Sequence, residues 1–243
     1  MENSFQDLPI HNQVLYEDNH IIVINKRSSQ IVHSDKTGDK SLEEEVKAYI
    51  KEKYNKPGNV FCGLVHRLDR PVSGAVIFAK TGKALERLNA MIKEHKISKT
   101  YWAIVKNTPP KPKDTLRNYL IRNEKQNKSY ISKESPNSKY AELDYELISK
   151  SDNFNLLQVN LKTGRHHQIR AQLSSIGCPI KGDLKYGYPR SNADASISLH
   201  ARKLVFIHPV SKEEIRIIAP VPQDKLWTYF ENDINTKNKE RYE

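Results

Sequence analysis

The amino-acid sequence predicts an α+β fold: a mixed, mainly antiparallel sheet with flanking helices. Three observations predict it. Short apolar runs with period-two alternation recur along the chain between turn residues. Capped segments of helical periodicity intervene at only a few points. The 243 residues, 37% of them hydrophobic, suffice for one large domain or two tightly joined halves, while a mean hydropathy of -0.72 implies a very polar surface.

The elements follow in order. Residues 14–18 and 20–25 alternate as a hairpin with Asp18-Asn19 at the turn. Ser41-Leu42-Glu43-Glu44 is a capping box opening a helix with Val46, Tyr49 and Ile50 on one face, ending near Tyr54 ahead of Pro57-Gly58. Ala75-Val76-Ile77-Phe78 marks a buried strand over residues 73–79. Thr81 then caps a helix with Ala84, Leu85, Leu88, Met91 and Ile92 aligned. Residues 100–105, 141–148 and 155–161 read as half-buried strands, so the sheet is largely antiparallel. Residues 107–139, rich in Pro, Lys, Asn and Ser, read as a basic connection with one short hairpin, either solvated or facing a polyanion. Residues 232–243 are almost wholly polar and are expected to fray.

Composition narrows the function classes. The formal net charge of +11, from 40 Lys and Arg against 29 Asp and Glu, favours a polyanionic partner, nucleic acid before a membrane surface. No basic amphipathic helix with an aromatic face is evident. The chain shows neither an apolar run of membrane-spanning length nor a signal peptide, and a cytoplasmic protein is expected. Cys62 and Cys178 lie far apart without CxxC spacing, so neither a disulfide framework nor a zinc site is expected.

Two polar constellations stand out. Gly63-Leu64-Val65-His66-Arg67-Leu68-Asp69-Arg70-Pro71-Val72-Ser73-Gly74 sets one carboxylate among basic side chains and then bends. It reads either as a nucleophile beside a polyanionic substrate or as a solvated ion pair contributing little. Lys162-Thr163-Gly164-Arg165-His166-His167-Gln168-Ile169-Arg170 opens a helix with Ile169, Leu173 and Ile176 at helical spacing, closed by Gly177 and Pro179. Its first turn, reinforced by Arg165 and Arg170, suits a carboxylate or phosphate; an ordinary capped helix is the alternative. Adjacent histidines diverge on a helix and no HExxH pattern accompanies them, so no metal site is expected.

Several motifs occur together in register. Leu15-Tyr16-Glu17-Asp18 is followed by Val23-Ile24-Asn25-Lys26, then by His66-Arg67-Leu68-Asp69 with Ser73-Gly74, and by Lys99-Thr100-Tyr101-Trp102-Ala103. Thr163-Gly164-Arg165 with His167-Gln168-Ile169-Arg170 comes next, then Gly182-Asp183 with Tyr186-Gly187, and Leu199-His200-Ala201 with His208-Pro209. From about Leu15 to Pro209 the chain resembles RNA pseudouridine synthases of the RluA type. The resemblance implies the catalytic fold of that family with a central cleft. It implies roles for Asp69 as catalytic aspartate, Tyr101 as the tyrosine stacked on the target base, and Arg165 as the arginine paired with the aspartate. Arg67 matches a position that enters RNA, and His66, Arg70, Lys99, His167 and Arg170 are expected to bind RNA as well.

The implied reaction is isomerisation of uridine in structured RNA, ribosomal or transfer, with no cofactor and no metal. The expected protein is a monomer with no obligatory protein partner. Residues 1–12 are expected as an N-terminal extension, 13–231 as the catalytic domain and 232–243 as a polar tail, with no accessory N-terminal RNA-binding domain. Departures occur at Lys26-Arg27-Ser28-Ser29, Val72 and His166, and these bear on substrate choice rather than on reaction type. A non-catalytic RNA-binding module is the alternative from another class. A metal-dependent nuclease or glycosidase lacks a recognisable second carboxylate.

Overall fold

The computed structural model describes residues 9–34 and 38–240, so most of the expected N-terminal extension and the last three residues lie outside it. In chain order the elements are β1 (Val14–Glu17), β2 (Ile21–Lys26), α1 (Leu42–Lys53), β3 (Gly63–Leu64), β4 (Ser73–Ala79) and α2 (Gly82–Lys93). Then come β5 (Ser98–Val105), β6 (Lys113–Asn123), β7 (Lys128–Ser132), β8 (Lys139–Lys150), β9 (Asn155–Leu161), α3 (Gln168–Ser175), β10 (Leu199–Ile207), β11 (Glu214–Ile218) and α4 (Lys225–Glu240). Two compact units result: residues 1–97 with 203–220, and residues 98–202 with 221–243. Among the described residues no helix is long and apolar enough to cross a membrane.

In the first unit β2 pairs antiparallel with β4, Ile21 opposite Ala79 and Lys26 opposite Gly74. β1 flanks β2, β3 flanks the end of β4, and β11 returns along the last residues of β10. All of β4 and nearly all of β2 are buried. Coverage of both faces explains why these strands read as continuous apolar runs rather than as alternation. Ala84 and Leu88 of α2 join Ile21, Val23, Ile77 and Phe206 in the core, with Leu85, Met91 and Ile92 packed against it. The capping box forms: Glu44 N–H donates to Ser41 Oγ at 3.3 Å and Ser41 N–H to Glu44 Oε2 at 2.8 Å.

Two acidic residues of the first motif are absorbed by this unit. Asp18 Oδ1 accepts from the backbone N–H of His20 at 2.7 Å and of Ile21 at 2.8 Å, while Oδ2 takes Tyr16 Oη at 3.0 Å and lies 2.8 Å from His208 Nε2. His208 Nδ1 accepts from Ser211 N–H at 2.9 Å, so its ring proton sits on Nε2, facing Asp18. Tyr16, Asp18 and His208 therefore tie the β1–β2 turn to the β10–β11 turn.

Glu17 collects four donors: Lys53 and Lys80, both at 2.7 Å, and the hydroxyls of Tyr49 and Tyr54, both at 2.9 Å. Burial alone raises the Glu17 pKa; the hydrogen bonds from Lys53, Lys80, Tyr54 and Tyr49 outweigh it and bring the value down to about 2. A depressed carboxylate pKa stabilises the fold above the unfolded value and loses that contribution as pH falls through the folded one. Stability is therefore expected to drop by about 1 kcal/mol, discounted for solvent screening, between pH 4.5 and pH 2 through this group. Glu17→Gln should flatten that segment of the urea-melt pH profile; an unchanged profile would discount the cluster.

In the second unit β5, β9, β8, β6 and β7 follow one another as antiparallel neighbours. Trp102 and Ile104 point from one face of β5 into a core with Leu156, Trp227 and Phe230. Tyr101, on the alternate register, points to the other face. Two expectations change here. Residues 107–139 are not mainly a connection: β6 runs eleven residues and pairs with β8 from Lys113 opposite Glu146 to Leu120 opposite Lys139. Only one of its faces is covered, so its polar residues concealed the alternation. Nor does the chain fray from Asn232, since α4 continues to Glu240, with Ile234 packed on the core and Asp233 Oδ2 accepting from Ser149 Oγ at 2.6 Å.

Candidate active site

Asp69 lies in the first unit, on the segment that leaves β3 and enters β4. Val65, Leu68 and Val72 are buried, while Arg67 and Arg70 are exposed and Asp69 is half-buried. The apolar residues pin the segment and the polar ones are left facing outward. Val72 N–H donates to the Asp69 carbonyl at 3.0 Å, closing a turn with the aspartate at its head. Arg70 reaches Asp39 at 2.9 Å. His66 uses Nε2 to accept from Ile77 N–H at 3.3 Å, which fastens the segment to β4.

Beneath the turn sits Lys26, the last residue of β2, with 0% of its surface exposed. Its Nζ donates to the carbonyls of Val72 at 2.6 Å, Arg27 at 2.9 Å and Arg70 at 3.1 Å. The Arg70 carbonyl also accepts from Ser29 N–H at 2.9 Å. One ammonium thus ties the second and last residues of the Asp69 turn to the end of β2. Burial pushes the Lys26 pKa down to about 7 against the opposing pull of the Asp69 carboxylate. Because the folded value lies below the unfolded 10.5, the unfolded chain binds more protons between those limits, and stability must rise with pH across them. Lys26→Met is expected to abolish that rise, on the order of 2 kcal/mol once relaxation around the buried charge is allowed for. Parallel denaturation curves for the two proteins from pH 7 to 10 would refute the lowered Lys26 pKa.

The second unit carries Lys99, Tyr101 and Arg165. Tyr101 is 7% exposed and pairs with Val159 of β9. Next to it, Thr100 Oγ1 donates to Asn160 Oδ1 at 2.8 Å, which fixes the register. Arg165 is exposed; its Nε donates to the Tyr140 carbonyl at 2.8 Å and its backbone N–H to Gln168 Oε1 at 3.0 Å. The two terminal nitrogens are its remaining side-chain donors. A Cβ on Gly164 would come within 3.8 Å of Lys99 Nζ, so the lysine reaches the segment that bears Arg165. Burial lowers the Lys99 pKa.

His167 and Arg170 are placed differently from expectation, inside the second unit rather than on an RNA-facing surface. Arg170 is 5% exposed and grips Asp183 bidentately, Nε to Oδ2 at 2.7 Å and Nη2 to Oδ1 at 2.8 Å. Its Nη1 donates to His167 Nε2 at 3.0 Å, so the ring proton sits on Nδ1 and faces Tyr186 Oη at 3.0 Å. Tyr186 Oη donates to the Ser129 carbonyl at 3.1 Å and accepts from Ser129 N–H at 2.8 Å. Burial and the Arg170 charge hold His167 neutral, its pKa lowered to about 2. His167 adopts left-handed backbone, φ 52°, at the start of α3, a conformation this network must stabilise. Gly182 is needed beside Asp183: its φ is +87° and a Cβ would meet the Ser196 carbonyl at 2.7 Å.

The structure brings Asp69 together with His66, Arg70 and Lys26 in the first unit, and Arg165 with Lys99 in the second. Lys26 and Asp183 were missed as site-supporting residues. A lysine ending a strand that opens with four apolar residues, and an acid in the motif after a helix that presents Arg170, were the available signals.

Comparison with known proteins gives the family. Residues 20–175 match the model of the RNA pseudouridylate synthase family. A ribosomal large subunit pseudouridine synthase C from Buchnera aphidicola subsp. Acyrthosiphon pisum is 34% identical over 93% of this chain and 70% of its own length. A ribosomal large subunit pseudouridine synthase D from Zymomonas mobilis is 32% identical over 91% of this chain and 72% of its own. The solved human RNA pseudouridylate synthase domain containing 4 shares the fold, with a TM-score of 0.76 at 21% identity over 93% of this chain and 94% of that one. The chain belongs to the RNA pseudouridylate synthase family, of the RluA type, and is an isomerase.

Proposed function

We propose that this protein converts selected uridines of structured RNA to pseudouridine with Asp69 as the essential group and without a cofactor. The observation that carries this reading is the Asp69 turn, held by the fully buried Lys26 ammonium through the carbonyls of Arg27, Arg70 and Val72. A half-buried carboxylate presented at the head of a rigid turn is preorganised for chemistry rather than for solvation.

The reaction breaks the bond from ribose C1′ to uracil N1, turns the base and joins C1′ to C5; C5 gives up its proton and N1, which carried none, gains one, so atoms and charge balance. The carboxylate assists by adding to the ring or by helping the sugar eliminate the base, and in either route it must be ionised. Arg165 is the guanidinium the resemblance assigns to that carboxylate. Tyr101 supplies a face on which the freed base stacks while it turns, and a hydroxyl able to move a proton. Arg67, which the resemblance assigns to entering the RNA as the base leaves its stack, is exposed, as that role requires.

Two relatives are named for the ribosomal large subunit, which favours ribosomal RNA as substrate; the protein is read as a monomer acting in the cytoplasm. Pseudouridine mapping across total RNA with and without the gene tests the reading. Loss of discrete sites, restored by adding the purified protein to the unmodified RNA, is expected; wild-type protein that converts no uridine in any RNA fraction would overturn it.

A further inference from the structure

The β6–β7–β8 part of the second unit has one face spent on packing and one that, among the described residues, leaves large side chains exposed. Leu120 and Ala141 point inward to Ala171 and Tyr186. On the alternate register Tyr119 stands opposite both Ser132 and Tyr140, and Ile121 opposite Tyr130, so these four large side chains share the outward face. Tyr130 and Tyr140 are each 38% exposed, and Ile121 is exposed as well. An outward face of an antiparallel sheet is ordinarily polar. Here aromatic rings occupy it.

We infer that this face is a stacking surface for a single-stranded segment of the substrate RNA flanking the target uridine, an inference that rests on the proposed reaction. The rings are held at their edges: Tyr140 donates to Glu142, Tyr130 to Gln126, and Tyr119 shares a hydrogen bond with Glu134. Tyr119 and Tyr140 meet edge to face at 5.8 Å and 69°. Fixing the hydroxyls holds the rings in place, and with Lys128 Nζ over one face of Tyr130 a base can stack on the other at little cost in conformational entropy.

Charge selects the occupant. Around Ile121 and Tyr130 the hairpin residues 122–133 carry four Lys and Arg (122, 125, 128, 133) against one acidic residue (124), and Lys128 Nζ stands 5.1 Å from the Tyr130 ring centre. Farther along the same face Glu142 is matched by Arg117 at 3.3 Å, Asp144 by Lys162 at 3.1 Å and Glu146 by Lys113 at 3.6 Å, so the acids of β8 are offset while the hairpin tip stays basic. The strip is also continuous with the proposed chemistry, because the carbonyl of Tyr140 itself holds Arg165 Nε. Bases in a duplex cannot offer their faces to a protein, whereas splayed single strands can.

The test uses full-length Ile121→Ala/Tyr130→Ala and Tyr130→Phe, with thermal melts to show the fold intact. Affinity is measured for a uridine-containing single-stranded oligonucleotide and for a duplex, and kinetics on the RNA found by mapping. The double variant is expected to bind the single strand about 5- to 100-fold more weakly, to raise KM with kcat retained, and to bind duplex as before. Tyr130→Phe should restore most of the affinity through its ring. Wild-type affinity and KM in the double variant would overturn the inference. So would a wild-type dimer that dissociates in the variant with RNA binding unchanged, which would assign the face to a second copy. Failure of wild-type protein to isomerise any RNA is a separate result, visible in the control, and overturns the functional reading itself.

Discussion

Asp69→Asn should abolish isomerisation, lowering kcat by at least about a thousandfold, while leaving the fold and RNA affinity nearly intact. The substitution preserves shape and removes only the charge, so neither route through the carboxylate survives. The turn persists, because it is closed by the Asp69 carbonyl and not by its side chain. One secondary effect is expected from Lys26, whose ammonium the Asp69 charge helps to keep protonated. Without that charge the lysine loses its proton more readily, so the variant should be somewhat less stable at low pH than wild type, by about 1 kcal/mol. Single-turnover conversion of the mapped RNA, read beside a binding titration, checks the main result. Residual turnover within tenfold of wild type would remove Asp69 from the chemistry.

Much of this was legible in the sequence, for identifiable reasons. Strands covered on both faces announced themselves as unbroken apolar runs, as at Ile21 to Ile24 and Ala75 to Phe78, and helix starts announced themselves through Ser41 and Thr81, whose side chains cap them. What escaped were features fixed by partners distant in the chain. β6 is a strand because β8 pairs with it, not because its own pattern insists on it. Residues 232–240 are helical because Ile234 and Asp233 find the core and Ser149. The same applies to the site. Asp69 stood out as a carboxylate among cations, but nothing local indicated that Lys26, over forty residues earlier, would lie beneath it. His167 and Arg170 were read as surface groups because their sequence neighbours are polar; Asp183 and Tyr186 draw them inside.

Arg170→Met tests that internal network and should destabilise the protein by about 3–5 kcal/mol. The loss comes less from the missing attraction than from what remains. Asp183, 1% exposed, would keep a carboxylate with neither water nor guanidinium to solvate it, and His167 Nε2 would lose its donor. Removing the charge at both ends changes the balance, since a buried pair repays its own desolvation only partly. Arg170→Met/Asp183→Leu is therefore expected to be more stable than Arg170→Met alone, against the additive expectation for two independent core lesions. Urea unfolding of the two single variants and the double closes the cycle, and strictly additive losses would refute the coupling. Catalysis should not recover with stability. Restoring a neutral interior leaves His167 without the guanidinium that orients its ring, and the left-handed residue at the head of α3 loses part of what holds it. Gln168, the next residue, carries the oxygen that accepts from the Arg165 backbone. The double variant should thus refold with a reduced kcat and near-normal RNA affinity, because the exposed basic face is untouched while the segment that positions Arg165 has been loosened.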